Sequence, residues 1–135
     1  MNRQAFLEQC RHKFPGLSRW AEWCYAQPSR LYFGADIISS ERGVQQGDPL
    51  GPLFFSLALQ PLLFQLNEGR TEEGLQLVFS YLDDLVLAGE QQAVAEAFHH
   101  FKGAALDIGL EFNNSKCEII PTAGLNCSLK QRFLP

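Results

Sequence analysis

The sequence predicts an α+β protein in which helices alternate with antiparallel β-hairpins. Apolar residues recur at helical spacing in residues 3–14 and 90–108. Two pairs of short apolar runs, within residues 29–39 and 78–88, are each interrupted by a few turn-forming residues. A length of 135 residues, of which 46% are hydrophobic, suits one domain that can bury a substantial core.

The N-terminal region is predicted to form two helices. The first covers residues 3–14, with Asn2 as its N-cap and Pro15-Gly16 at its end, and its apolar stripe consists of Phe6, Leu7, Cys10 and Phe14. The second covers residues 18–25. Its Trp20 and Trp23 could stack on nucleic-acid bases, but tryptophans at helical spacing more often fill a core, and we expect them there.

A hairpin and a glycine-rich loop follow. Residues 29–33 and 37–39 are predicted strands, and Gly34 supplies the unusual backbone angles of the turn. The loop of residues 40–52 contains three glycines and two prolines. This composition suits a backbone that approaches a ligand closely, and it suits equally a lead-in to the next helix with proline in the first turn.

The second half of the chain is predicted to contain two more helices and further strands. Residues 52–66 are apolar almost all round, which indicates a helix buried on most sides, and Pro61 should kink or break it. Residues 67–74 should form a polar loop. The helix of residues 90–108 should stop at Gly109. Strands are then expected at 110–112 and 117–120 around a turn, and a loose tail at 122–135.

The adjacent carboxylates of Asp83 and Asp84 are the most unusual local feature. They must repel each other, and aspartate is disfavoured in strands. One interpretation is a hairpin turn with both carboxylates in water. The other is a metal site, because carboxylate oxygens are the ligands that Mg²⁺ prefers. The pair alone does not decide between these interpretations.

Composition argues against several classes of function. A net charge of −4 and a pI near 5.3 argue against strong sequence-independent binding of nucleic acid by this chain alone. The four cysteines lack the spacing of a zinc site and are expected to be reduced. Because no signal peptide and no apolar run of about 20 residues is present, we expect an intracellular protein, cytoplasmic or nuclear, without a transmembrane segment.

Three blocks of sequence, in this order, resemble successive palm motifs of reverse transcriptases. They are GVQQGDPLGPLFF at residues 43–55, YLDD at 81–84 and GLEFNNSK at 109–116. The first nearly reproduces the Q-G-D-P-L-x-P-L-L-F block of non-LTR retrotransposon enzymes, whereas Y-x-D-D is the retroviral-style spelling. The resemblance covers about residues 29–120. It implies a partial polymerase palm over residues 1–121, with helices packed on one face of a small antiparallel sheet.

The resemblance implies a two-metal active site. Asp83 would bind the catalytic Mg²⁺ ions that activate the primer 3′-hydroxyl, and Asp84 would support that site. Lys116 resembles the lysine that assists departure of pyrophosphate, although a turn lysine in water is an equally good interpretation of this residue.

The resemblance also implies a nucleotide-binding surface. Gln46 and Gly47 would face the incoming nucleotide, the amide making contact and the glycine allowing close approach of the backbone. Tyr81 would lie near the primer end.

The implied activity is the addition of deoxynucleotides to a DNA primer on an RNA template. The family needs a further aspartate on an earlier strand, and Asp36, Asp48 and Asp107 are not convincing replacements. We therefore expect a chain truncated at its N-terminus, inactive alone and weak or inert in nucleic-acid binding. The alternative is a decayed or domesticated retroelement remnant that serves only as a structural or interaction module.

Overall fold

A computed structural model describes residues 1–120 of the chain and confirms the α+β class. The chain divides into two compact units, one of residues 1–61 and one that starts at residue 62. Among the described residues the elements are, in chain order, α1 (Arg3–Lys13), α2 (Pro15–Tyr25), β1 (Ser29–Phe33), β2 (Asp36–Ser40), α3 (Gly51–Glu68), β3 (Leu75–Tyr81), β4 (Asp84–Gly89) and α4 (Gln91–Asp107). The strands form two separate two-stranded antiparallel sheets, β1–β2 and β3–β4.

The two N-terminal helices follow each other almost directly. Helix α1 ends at Lys13, and the amide of Phe14 donates to the Cys10 carbonyl at 2.8 Å. Pro15 is the first residue of α2, so the prediction that this helix begins at residue 18 was wrong. The physical reason is that proline lacks the N–H that would be unpaired in a first turn, and its fixed φ suits that position.

An aromatic cluster forms the core of the first unit. The rings of Phe6 and Phe54 stack at 5.2 Å, and Tyr25 packs edge-on against both. The prediction that both tryptophans are core residues was wrong: Trp23 is 84% exposed, and Trp20 is 42% exposed beside Phe54. The inward stripe of α2 is occupied instead by Tyr25 and by Ala21, one turn earlier.

The β1–β2 hairpin has the strands and the turn that the sequence predicted. Phe33 pairs with Asp36 at its closed end, and Gly34 has a positive φ of 61°. Large apolar side chains are exposed on both of its faces: Leu31, Tyr32, Phe33, Ile37 and Ile38.

Helix α3 runs without interruption from Gly51 to Glu68. Pro61 lies inside it, so the helix is not broken at this residue. Its buried side chains are Phe54, Leu57, Ala58, Leu59, Leu62 and Leu66, whereas Phe64 is 55% exposed. Burial of these apolar side chains stabilises the helix more than the single backbone hydrogen bond lost at proline destabilises it.

In the second unit, α4 packs against the β3–β4 hairpin. Glu90 caps α4, since its carboxylate accepts from the amides of Gln92 at 2.7 Å and Ala93 at 3.0 Å. The helix ends at Asp107, and Gly109 has a φ of 72°, which confirms the predicted stop. No helix among residues 1–120 has both the length and the apolar run needed to cross a bilayer.

The two strands predicted after α4 are absent. Residues 110–112 and 117–120 have no regular structure, and a 3₁₀ turn, Asn114–Lys116, lies between them. The ring of Phe112 instead packs edge-on against Phe98 at 5.4 Å and Phe101 at 5.8 Å. Contact with a helix face holds this segment, and a short apolar run forms a strand only where a neighbouring strand pairs with it. The predicted boundary at residue 121 and the predicted loose tail at 122–135 lie outside the described residues.

Candidate functional site

The acidic pair lies at the closed end of the β3–β4 hairpin. Tyr81 pairs with Asp84, so Leu82 and Asp83 form a two-residue connection between the strands. Leu82 has a positive φ of 52°, and no other non-glycine residue in the described chain has a positive φ. A positive φ at the first connecting residue alone is the sign pattern of a type II′ turn, where glycine is usual. The strained residue therefore directly precedes the acidic pair.

Both carboxylates of the pair are exposed to solvent. Their mutual repulsion is therefore weakened by water, and a bound cation would weaken it further. Carboxylate oxygens at an exposed hairpin end suit a hard divalent ion, which commonly binds through one or two carboxylates and completes its shell with water and phosphate oxygens. Within residues 1–120 no three His, Cys, Asp or Glu side chains are placed to hold a metal ion. Asp83 and Asp84 thus fit such an ion by donor type.

An apolar surface leads to the acidic end of this hairpin. Tyr81 is 68% exposed, and Phe79 and Val86, which pair with each other, are exposed on the same face. Residues on the opposite face, such as Leu85 and Leu87, are more buried. The hairpin therefore has one face in the packing of its unit and one open face that ends in Tyr81 and Asp84.

The Gln46-Gly47 segment lies in the first unit, in the loop between β2 and α3. Both residues are exposed. Gly47 has a φ of 88°, and no atom lies within 4 Å of the place that a Cβ would occupy. The conformation therefore favours glycine, and the open space in front of it allows another molecule to approach the backbone. Because α3 begins at Gly51, the loop is also a helix lead-in, so the structure is compatible with both interpretations.

A buried tyrosine, which the sequence reasoning missed, lies beneath this loop. The Tyr25 hydroxyl donates to a carboxylate oxygen of Asp48 and accepts from the amide of Gln45 at 3.2 Å. Tyr25 is only 1% exposed. Burial, followed by the hydrogen bond to Asp48, raises the pKa of this phenol above its ordinary value. Nothing in the sequence distinguished Tyr25 from an ordinary core aromatic residue.

A buried arginine, also missed, holds the beginning of the same loop. Arg3 donates from Nε to the Gly43 carbonyl at 3.1 Å and from Nη2 to the Ser40 hydroxyl at 2.8 Å. A longer bond of 3.4 Å joins Nη1 to the Gln27 carbonyl. The guanidinium group also lies over the Tyr25 ring, 5.3 Å from its centroid. A charged residue that is only 7% exposed must be hydrogen-bonded. Burial is not visible in a single sequence, so no usable signal for this role of Arg3 was present in the sequence.

Lys116 is exposed at the end of the 3₁₀ turn in the second unit. The turn is held by Asn113, whose side-chain oxygen accepts from the amide of Ser115 at 3.1 Å and from its hydroxyl at 2.6 Å. The structure thus places Tyr81, Asp83, Asp84 and Lys116 in one unit and Gln46 and Gly47 in the other.

Comparisons with known proteins give a family and one curated relative. The family model for reverse transcriptase (RNA-dependent DNA polymerase) matches residues 3–127. The retrovirus-related Pol polyprotein from type-1 retrotransposable element R2 of Nasonia vitripennis is 34% identical over 89 residues. That match covers 62% of this chain and 8% of the polyprotein, so the chain spans a small part of this relative. No solved structure matches.

Proposed function

We propose that this chain, which belongs to the reverse transcriptase family and is of the non-LTR type, forms part of a polymerase palm. The observation that supports this most is the hairpin end at Asp83 and Asp84. Asp83 and Asp84 are adjacent residues at a tight turn, and both are exposed, so their carboxylates are accessible to a cation and to a nucleic-acid end. The proposed reaction of the complete palm is template-directed addition of deoxynucleotides to a DNA primer on RNA.

The family generally uses a divalent metal, and we propose Mg²⁺ held by Asp83 with support from Asp84. Such ions supply Lewis-acid activation of a hydroxyl and stabilise charge on a leaving pyrophosphate. The role of this chain is to present two carboxylates, as oxygen ligands, at a defined position. The packed hairpin fixes Asp84 through its pairing with Tyr81, and the turn fixes Asp83 beside it.

The family generally acts on nucleic-acid templates and primers, and we propose specific contacts for four residues. Gln46 and Gly47 contact the incoming deoxynucleoside triphosphate, since the amide can hydrogen-bond and the backbone at Gly47 is open. Tyr81 lies against the primer end with its exposed ring. Lys116 either stabilises the negative charge of the departing pyrophosphate by its own positive charge or donates a proton to it.

We further propose that the chain does not polymerise by itself. Phosphoryl transfer by two metals needs several converging carboxylates, and the described residues supply only the adjacent pair. Asp48 is engaged by Tyr25, and Asp36 belongs to the other hairpin. Because the net charge of the chain is −4, the chain alone should also bind template and primer weakly.

Titration with Mn²⁺ tests the proposed metal site. Because Mn²⁺ is paramagnetic, amide signals near Asp83 should broaden first, at millimolar or lower metal, and Mg²⁺ should compete. Asp83→Asn should abolish this broadening. The matched control is Asp36→Asn, which changes an exposed aspartate next to the turn of the β1–β2 hairpin and should leave the broadening unchanged. Equal broadening in wild type and Asp83→Asn would exclude the site.

Primer extension tests the proposed inactivity. The purified chain with Mg²⁺, an RNA template, a DNA primer and deoxynucleotides should give no extension above a protein-free control. Extension that disappears in Asp83→Asn would show that two carboxylates suffice, and the proposal of an incomplete site would be abandoned.

The second candidate function is a structural or interaction module without catalysis. It is favoured by the β1–β2 hairpin, where side chains such as Tyr32 and Phe33 are exposed on both faces. A module of this kind needs no metal at Asp83. Absence of localised Mn²⁺ broadening in a well-folded chain would therefore favour it over the polymerase site.

A further inference from the structure

We propose that Tyr25 is a positioning residue for the Gln46-Gly47 turn, and that it acts by joining the two residues that flank this pair. The flanking residues are Gln45 and Asp48. The consequence for nucleotide binding rests on the proposed function of Gln46 and Gly47, whereas the control of loop shape does not.

A single oxygen atom makes both connections. The Tyr25 hydroxyl accepts from the Gln45 amide at 3.2 Å and donates to the Asp48 carboxylate. Gln46 and Gly47 therefore form the exposed part of a short loop whose two ends are held at one buried atom. The loop is also closed by a backbone bond of 3.2 Å from the Asp48 amide to the Gln45 carbonyl. Holding both ends limits the conformations of the two exposed residues between them.

Asp48 transmits the same constraint to α3. Its second carboxylate oxygen accepts from the Leu50 amide at 2.8 Å, and its carbonyl accepts from the Gly51 amide at 3.0 Å. Gly51 is the first residue of α3. The carboxylate thus joins the phenol of Tyr25 to the beginning of a long helix, so the turn has a rigid support on its C-terminal side.

Tyr25 is itself held on two sides. Phe6 and Phe54 pack edge-on against its ring, with centroid distances of 5.3 Å and 5.6 Å. The guanidinium group of Arg3 lies over the ring and also holds the Gly43 carbonyl, two residues before Gln45. A phenol fixed in this way cannot follow the loop if the loop moves. The position of the hydroxyl therefore sets the position of the turn.

Removal of the single hydroxyl by Tyr25→Phe tests this inference while preserving the ring packing. Amide hydrogen exchange should accelerate roughly tenfold at Gln45, which loses its acceptor, and also at Asp48 and Leu50. The Asp48 and Leu50 amides do not bond to Tyr25, so they report the shape of the turn rather than the lost bond. Exchange at these two amides that equals the wild-type rate would overturn the proposal.

Two controls separate a local effect from general destabilisation. Tyr32→Phe removes an exposed hydroxyl from β1 and should leave exchange in the turn unchanged. The Ala93 amide, bonded to Glu90 in the second unit, should exchange at the same rate in wild type and Tyr25→Phe. Asp48→Asn keeps one side-chain acceptor oxygen, which can still accept from the Leu50 amide, and should retain more protection at Leu50 than Asp48→Ala. Equal exchange in these two variants would exclude a role for the Asp48 side chain.

A nucleotide titration distinguishes failure of this inference from failure of the proposed function. A deoxynucleoside triphosphate with Mg²⁺ should shift the Gly47 amide signal of the wild type, and Tyr25→Phe should weaken that binding roughly fivefold. Equal affinity in both proteins would overturn the positioning role while preserving nucleotide contact at Gly47. If the wild type shows no shift, the proposed nucleotide contact fails, and the exchange rates at Asp48 and Leu50 alone decide whether Tyr25 sets the turn.

Discussion

Tyr81 pairs with Asp84 across the end of one hairpin as Phe33 pairs with Asp36 across the end of the other. In both hairpins an aromatic residue and an aspartate enclose a two-residue connection whose first residue has a positive φ. That residue is Gly34, at 61°, in the first hairpin and Leu82, at 52°, in the second. The turn at Gly34 is therefore an unstrained counterpart of the turn that carries the acidic pair. Retained strain at the second turn is consistent with a functional site.

The strain at Leu82 should be measurable. Leu82→Gly should raise the free energy of unfolding by about 1 kcal/mol, because glycine adopts a positive φ without the clash that a Cβ makes. Urea unfolding followed by circular dichroism measures this change. Leu82→Ala is the control: it shortens the side chain but keeps the strain, and it should not stabilise the chain. If Leu82→Gly destabilises the chain as much as Leu82→Ala does, side-chain packing rather than strain dominates at this residue.

Gly89 should tolerate no larger residue. It has a φ of 152°, and a Cβ there would lie 2.8 Å from the Gln76 amide nitrogen and still closer to the Gly74 carbonyl oxygen. Gly89→Ala should therefore lower the free energy of unfolding by about 2 kcal/mol or more, measured by urea unfolding, because backbone atoms of the paired strand must move.

The matched control for Gly89 is Gly103, which lies within α4 with no atom within 4 Å of an added Cβ. Gly103→Ala should raise the free energy of unfolding by about 0.5–1 kcal/mol, since alanine is the better helix former. Effects of the same sign in the two variants would contradict the close packing at Gly89.

The cap of α4 should contribute measurably to the stability of the second unit. Glu90→Ala leaves the amides of Gln92 and Ala93 without their side-chain acceptor and should cost about 1 kcal/mol in free energy of unfolding. Glu90→Gln keeps an acceptor oxygen and should cost less. Thermal unfolding of the two variants side by side makes the comparison, and equal losses would show that the charge, and not the hydrogen bonds, is responsible.

The raised pKa of Tyr25 predicts a loss of stability at alkaline pH. The unfolded chain ionises this phenol near its ordinary value of 10.0, whereas the folded chain keeps it protonated to higher pH because of burial and Asp48. Its contribution is therefore fully present below about pH 10 and is lost as the pH rises through the folded pKa. Urea unfolding from pH 8 to 11 should show a smaller decline in Tyr25→Phe than in wild type. Identical slopes for the wild type and Tyr25→Phe would refute the assignment.

Much of the local structure could be predicted because it depends on neighbours in the chain. The stop of α4 at Gly109 and the turn at Gly34 follow from the backbone freedom of glycine. The family resemblance drawn from three blocks was confirmed by the match over residues 3–127. The predictions for the two tryptophans and for the strands after α4 were wrong for one reason. Whether an apolar residue is buried, or an apolar run pairs as a strand, depends on which other parts of the chain pack against it.

The sequence by itself determined the family, the α+β class, the hairpin that carries Asp83 and Asp84, and the loop that carries Gln46 and Gly47, because each depends on residue types at fixed spacing along the chain. Only the tertiary structure decided that Tyr25 lies beneath that loop and joins Gln45 to Asp48, and that Arg3 holds its beginning. These contacts join residues 20 to 40 positions apart. Their formation depends on the packing of α1, α2 and the loop around one aromatic core, and no local pattern specifies that packing.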